Sequence, residues 1–214
     1  MFNNALPSLS EVIGLAVILL VAFPAHELAH AWMADYFGDD TPRLQGRLTL
    51  NPLAHLDLFG SLLLLVANFG WAKPVQVNQY TLMRHSRYAP ALVALAGPVT
   101  NFFLGILGAL PIGLGLVQPP ETVSGLSVYI VLAMFSLINF VLFFFNLIPL
   151  FPLDGEKILI QVVSPAWQVK LLNFRRYQSL PLLLAVLILP RIGFPIVNWL
   201  VFEPAVRLFG LFGG

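Results

Sequence analysis

The sequence predicts an all-α polytopic membrane protein: a helical bundle of about four to six membrane segments, with one re-entrant segment and short membrane-associated β-strands. Three observations lead there. Apolar residues make up 58% of the 214-residue chain and charged residues only 10%, against about 25% charged in an ordinary soluble domain. The charges leave long stretches empty, each near the ~20 residues that a helix needs to cross a bilayer. Polar, turn-prone segments separate those stretches. Residues 1–214 read as a single integral membrane domain, with a core over about 12–160 and C-terminal membrane segments over about 178–214.

Composition also excludes function classes. A net charge of +1 offers no electrostatic footprint for nucleic acid. With no cysteine, disulfide frameworks and thiolate metal sites are excluded. Met1 to Ser10 has no Lys or Arg, so the basic region of a cleavable signal peptide is missing and the first apolar stretch is expected to stay.

That stretch, Val12 to Met33, is long enough to span and is interrupted near its end by His26, Glu27 and His30. A polar segment follows from Asp35 to Asn51, and Arg47 to Leu50 alternates polar and apolar as a short strand does. Leu53 to Phe69 is apolar but short, and contains His55, Asp57, Gly60 and Asn68. Trp71 to Tyr80 has a strand-like alternation broken by Pro74. Arg84, His85 and Arg87 form a basic surface cluster before the second span, Pro90 to Val117. The third, Leu126 to Phe145, runs into two prolines, Pro149 and Pro152, that cannot continue a regular helix. Leu180 to Phe202 is apolar again but split at Pro190-Arg191, as one broken span or two half-insertions.

His26-Glu27-Leu28-Ala29-His30 is an H-E-x-x-H. Residues i and i+4 share a helical face, so both imidazoles can bind one zinc ion while Glu27 acts as general base toward a zinc-bound water. With so few His and Glu, random placement would produce this pattern about 0.002 times in such a chain. A satisfied polar helix end is the plain alternative, but a Glu near the membrane interior costs about 3 kcal/mol or more and so marks function.

A catalytic zinc normally takes three protein ligands and a water. The candidates for the third are His55, Asp57 and Asp154. Asp154 is favoured because it lies between Pro152 and Gly155, where non-helical backbone at membrane depth has to line a cavity. It could also cap the next helix. His55 and Asp57 then either orient a ligand imidazole or form an inert interfacial pair. Gly97, Asn101, Gly105 and Ala109 recur every four residues as a small face for helix packing, and Asn101 could additionally reach substrate or a site residue.

Together these residues resemble the site-2 protease family of intramembrane metalloproteases. HELAH is similar to its zinc motif, Asn146 to Gly155 (NLIPLFPLDG) to its Asn-x-x-Pro-x-x-Pro-Leu-Asp-Gly element, and Ala96 to Asn101 (AGPVTN) to its Gly-x-x-x-Asn element. The resemblance covers about residues 12–160. It implies one zinc per chain held by His26, His30 and Asp154, Glu27 as the base, and Asn146 on the substrate or the oxyanion. It also implies a transmembrane protein as substrate, in regulated intramembrane proteolysis. The chain looks like the compact members without PDZ or CBS domains, with Leu53 to Phe69 as an insertion. A zinc transporter and an inactive scaffold that binds transmembrane helices are the alternatives. No motif specifies an oligomeric state.

Shared ligation sets the topology. His30 and Asp154 reach one zinc only if an even number of crossings separates them, so Leu53 to Phe69 is expected to be re-entrant or interfacial, turning near Gly60 or Asn68. Arg43, Arg47, Lys73, Arg84, Arg87, Lys157, Lys170, Arg175 and Arg176 then share one side, while the opposite loop, Gln118 to Gly125, has no Lys or Arg. That bias is expected to place the site toward the cytoplasm in a multi-pass protein of the cell (inner or plasma) membrane, with the N-terminus outside.

Overall fold

The computed structural model describes residues 8–55, 73–120, 125–177 and 179–214. Helix α1, Leu9–Tyr36, starts at a capping box. The Ser8 hydroxyl accepts the Glu11 amide, and the Glu11 carboxylate accepts the Ser8 amide at 2.6 Å. A π turn at Ile18–Ala22 precedes Pro24, with the Phe23 amide bonded to the Ile18 carbonyl. Pro24 has no N–H for a normal helical bond, and the wider turn absorbs that loss. The helix ends at Gly38, whose φ of 83° suits glycine.

A short helix α2, Thr41–Leu44, and a 3₁₀ turn, Pro52–Ala54, follow. Arg47 is buried, and its guanidinium donates to the carbonyls of Ala54 (2.6 Å) and Lys73 (3.2 Å). The Lys73 amide donates to the His55 carbonyl at 2.8 Å, so the residues flanking 56–72 meet. Asp57 and most of Leu53 to Phe69 lie outside the described residues.

Neither expected strand forms among the described residues. Arg47 to Leu50 is bent backbone, with the Thr49 carbonyl taken by His55 Nε2. Lys73 to Asn78 is irregular and leads into helix α3, Gln79–His85. The donors that a strand ladder would use go to carboxylates: the Val75 amide to Glu27 (3.0 Å) and the Asn78 amide to Asp39 (2.6 Å). Alternation in the sequence does not reveal that side chains will claim the backbone.

Helices α4, Ala89–Gly113, and α5, Val128–Asn146, complete the central bundle. Ser10 ties the start of α1 to the start of α5: its hydroxyl accepts the Ser127 amide (2.8 Å) and donates to the Gly125 carbonyl (3.1 Å). α1 and α5 therefore begin together. Among the described residues α1, α4 and α5 are long and apolar enough to span a membrane. Helix α6, Asp154–Val162, starts after the proline turn, followed by α7, Pro165–Phe174. Helix α8, Leu180–Ile192, breaks at Gly193, three residues beyond Pro190, where φ is 88°. Helix α9, Glu203–Gly213, packs on α4 and α5.

The small face of α4 sets how closely the helices approach. A Cβ on Gly105 would stand 2.6 Å from the ring of Phe140, which is fully buried. Gly105→Ala is expected to cost about 1–3 kcal/mol through overpacking, read as a lower thermal midpoint in detergent. An unchanged midpoint would contradict this packing.

Candidate metal centre

His26 and His30 lie one turn apart on α1, their rings edge to face with centroids 4.6 Å apart. Asp154 is the first residue of α6 rather than its cap, which is Leu153. Gly155 makes this start possible, because a Cβ there would run into the Leu147 and Ile148 carbonyls. Asp154 Oδ2 stands 3.3 Å from His26 Nε2 and 3.2 Å from His30 Nε2, and the two nitrogens are 3.0 Å apart.

The ring tautomers decide what this cluster can hold. His30 Nδ1 lies 2.7 Å from the Val93 carbonyl, which can only accept, so Nδ1 carries the proton and Nε2 presents a lone pair. His26 Nδ1 faces the Asn101 side-chain oxygen at 2.6 Å, which gives the same result. Two nitrogen lone pairs and a carboxylate oxygen thus converge, and such a set calls for a cation. Ligands about 2.0–2.1 Å from a tetrahedral zinc stand about 3.3 Å from one another. The observed separations fit that ion.

The surroundings are polarised to match. Lys157 Nζ lies 2.8 Å from Asp154 Oδ1, on the oxygen that does not face the imidazoles. That ammonium offsets part of the cost of burying the carboxylate that a metal ligand has to be.

Glu27 is buried and lines the same cavity, of about 780 Å³, with its Oε2 accepting the Val75 amide. Asn146 also lines the cavity and donates to the Leu142 carbonyl of its own helix at 3.0 Å. Asn101 is brought to His26 rather than left as a packing residue. His55 is fully buried but donates through Nε2 to the Thr49 carbonyl at 2.8 Å and is absent from the cavity wall. His85 is exposed, against Phe37.

Sequence reasoning missed three contributors: the Val75 amide, Lys157 and Gly97. Lys157 had a signal, its i+3 spacing from Asp154 at a helix start. Gly97 had one too, lying one turn before Asn101, but its task was read as general packing. A Cβ on Gly97 would stand 2.5 Å from His30 Cε1 and 2.7 Å from His26 Cε1. Gly97→Ala is therefore expected to weaken zinc binding at least about tenfold, with helix content unchanged by circular dichroism. Undiminished zinc affinity would show that the rings do not need this space.

The model of Peptidase family M50 matches residues 111–189. A protein of Bacillus subtilis (strain 168), named "Putative zinc metalloprotease YwhC", is 44% identical over 165 residues, covering 76% of this chain and 75% of its own. Two mycobacterial proteins share the name "Putative zinc metalloprotease Rip2". That of Mycolicibacterium smegmatis is 30% identical, covering 84% of this chain and 70% of its own. That of Mycobacterium tuberculosis is 32% identical, covering 85% and 70%. No solved structure matches the chain. With its two imidazoles and carboxylate arranged for a metal, this chain belongs to peptidase family M50, the site-2 proteases, which are zinc metalloproteases.

Proposed function

We propose that this chain is a zinc-dependent endopeptidase that cleaves membrane-spanning proteins within the bilayer, in regulated intramembrane proteolysis. The observation that carries this reading is the convergence of His26, His30 and Asp154 beside Glu27 in one cavity among apolar helices. The three converging residues are the metal ligands, and Glu27 is the base.

Bound zinc supplies Lewis-acid polarisation of the attacking water and the scissile carbonyl. The Glu27 carboxylate takes the proton of that water and returns it to the leaving nitrogen. The Val75 amide, donating to Oε2, holds the carboxylate in one orientation. Asn146 would donate to the substrate carbonyl as negative charge develops on it, a role supported by its position on the cavity wall. The helical substrate has to unwind locally. Lys73 to Asn78, with Pro74, Val75 and Val77 on the cavity wall, is the segment along which it would lie extended. A zinc transporter would need polar residues along its path, and α5 offers few beyond Ser136 and Asn139; an inactive scaffold would have no use for Glu27.

The topological reading is that the residues flanking the undescribed stretch, His55 and Lys73, lie on one side of the membrane, as the expectation of a re-entrant or interfacial Leu53 to Phe69 requires. The hydrogen bond between Lys73 and His55 supports it, as does the common starting end of α1 and α5. The site then opens toward the cytoplasm of a cell-membrane protein, with residues 1–214 acting as one domain.

Glu27→Gln is expected to keep about one zinc per chain, because the ligands are untouched. Cleavage of a transmembrane peptide should fall by about 10²–10⁴-fold. Retained cleavage, or lost zinc, would contradict the division of roles. The topology is checked with single cysteines, since the chain has none of its own. Cysteines at Asp40, Gln79 and Lys170 should label from the cytoplasmic side and one at Pro120 from the other. Labelling of positions 40 and 79 from opposite sides would break the shared site.

A further inference from the structure

His26 and His30 present the same nitrogen to the centre, but their other nitrogens are held by different means. His30 Nδ1 meets a backbone carbonyl, Val93, which has one possible role. His26 Nδ1 meets the side-chain amide of Asn101, and an amide can turn either way. With its oxygen toward the ring, Nδ1 carries the proton and Nε2 is free to bind metal. With its NH₂ toward the ring, the proton moves to Nε2, which then points at the other ligands and cannot bind.

The direction of Asn101 is decided on α5. Asn139 donates through Nδ2 to the Phe135 carbonyl at 2.8 Å, and that carbonyl can only accept. The Asn139 oxygen is thereby turned the other way, where it accepts Asn101 Nδ2 at 2.8 Å. The Asn101 oxygen must then face His26. Both asparagines are fully buried, and reversing either amide sets donor against donor or acceptor against acceptor.

We propose that Asn139 is a positioning residue of the metal centre: through Asn101 it sets the His26 tautomer that leaves Nε2 free for zinc. This rests on the reading of His26 as a metal ligand. The relay runs from α5 through α4 to α1, so the centre is oriented by a helix that supplies no ligand to it. Partners that orient ligating histidines typically govern metal affinity by about 10–100-fold.

The test uses the full-length protein in detergent, with zinc as the probe and ¹⁵N-histidine NMR of the metal-free protein as a second readout. Asn139→Leu removes the relay. Asn139→Ser is a smaller change that can still bond the Phe135 carbonyl but is too short to reach Asn101, and it serves if the leucine variant does not fold. Both are expected to lower zinc affinity about 10–100-fold. In both, the His26 signal should change from protonated Nδ1 to a mixture of tautomers. His30, anchored on Val93, should keep its protonated Nδ1 and so reports an intact fold. Ser136→Ala, a buried change on the same helix whose hydroxyl bonds the Gly105 carbonyl and not the relay, should stay within about threefold of the parent affinity, well short of that 10–100-fold loss. Unchanged His26 tautomer and zinc affinity in the leucine or serine variant would overturn the proposal, as would an equal loss in Ser136→Ala. A separate control, His26→Ala, addresses the underlying reading: undiminished zinc binding there would remove the metal centre itself, whatever the asparagines do.

Discussion

Three acceptor atoms about 3.0–3.3 Å apart, two of them on the buried His30 and Asp154 and one on the half-buried His26, repel one another unless a cation joins them. Much of this fold follows from satisfying that requirement in a membrane protein. Two of the acceptors come from α1 and one from the start of α6, so the chain has to return after α4 and α5 to the end of the bundle it left. The return is clamped at the far end by Ser10, which bonds the backbone at both Gly125 and Ser127. At the near end the missing Cβ of Gly155 lets α6 begin against the backbone of the preceding turn.

The same economy of space governs α4. It supplies no metal ligand, yet Gly97 leaves room for both imidazoles, Val93 fixes His30 and Asn101 holds His26. One helix face therefore combines close packing with control of the ring tautomers. Glu27 stands outside this set and is held by the Val75 amide, from a segment whose far end closes on His55 through Lys73. The proposed base and the proposed ligands are thus supported by different parts of the chain, and for that reason Glu27→Gln is expected to leave the metal in place.

The parts of this arrangement readable in the sequence are those with a local pattern. H-E-x-x-H needs only helical periodicity to be understood, and the three long apolar helices need only composition. Asp154 was readable because its prolines made a regular helix impossible at that point. The strands over Arg47 to Leu50 and Trp71 to Tyr80 were misread because alternation says nothing about distant carboxylates such as Glu27 and Asp39 capturing backbone amides. Asn139 was unreadable for a related reason. Its meaning depends on α4 and α5 meeting in one register, and that is a property of the packed bundle. His55 is a candidate by residue type for ligating the metal or orienting a ligand; its Nε2 meets the Thr49 carbonyl, and its expected companion Asp57 lies outside the described residues.

The ligand set itself is the claim on which everything else rests, and X-ray absorption at the zinc edge reads it most directly. The loaded protein should show two imidazole nitrogens and the remaining ligands as oxygen, at about 2.0–2.1 Å, with no sulfur. Three imidazoles bonded to the zinc, which would bring in His55 or His85, would contradict the centre described, as would a protein that binds no zinc.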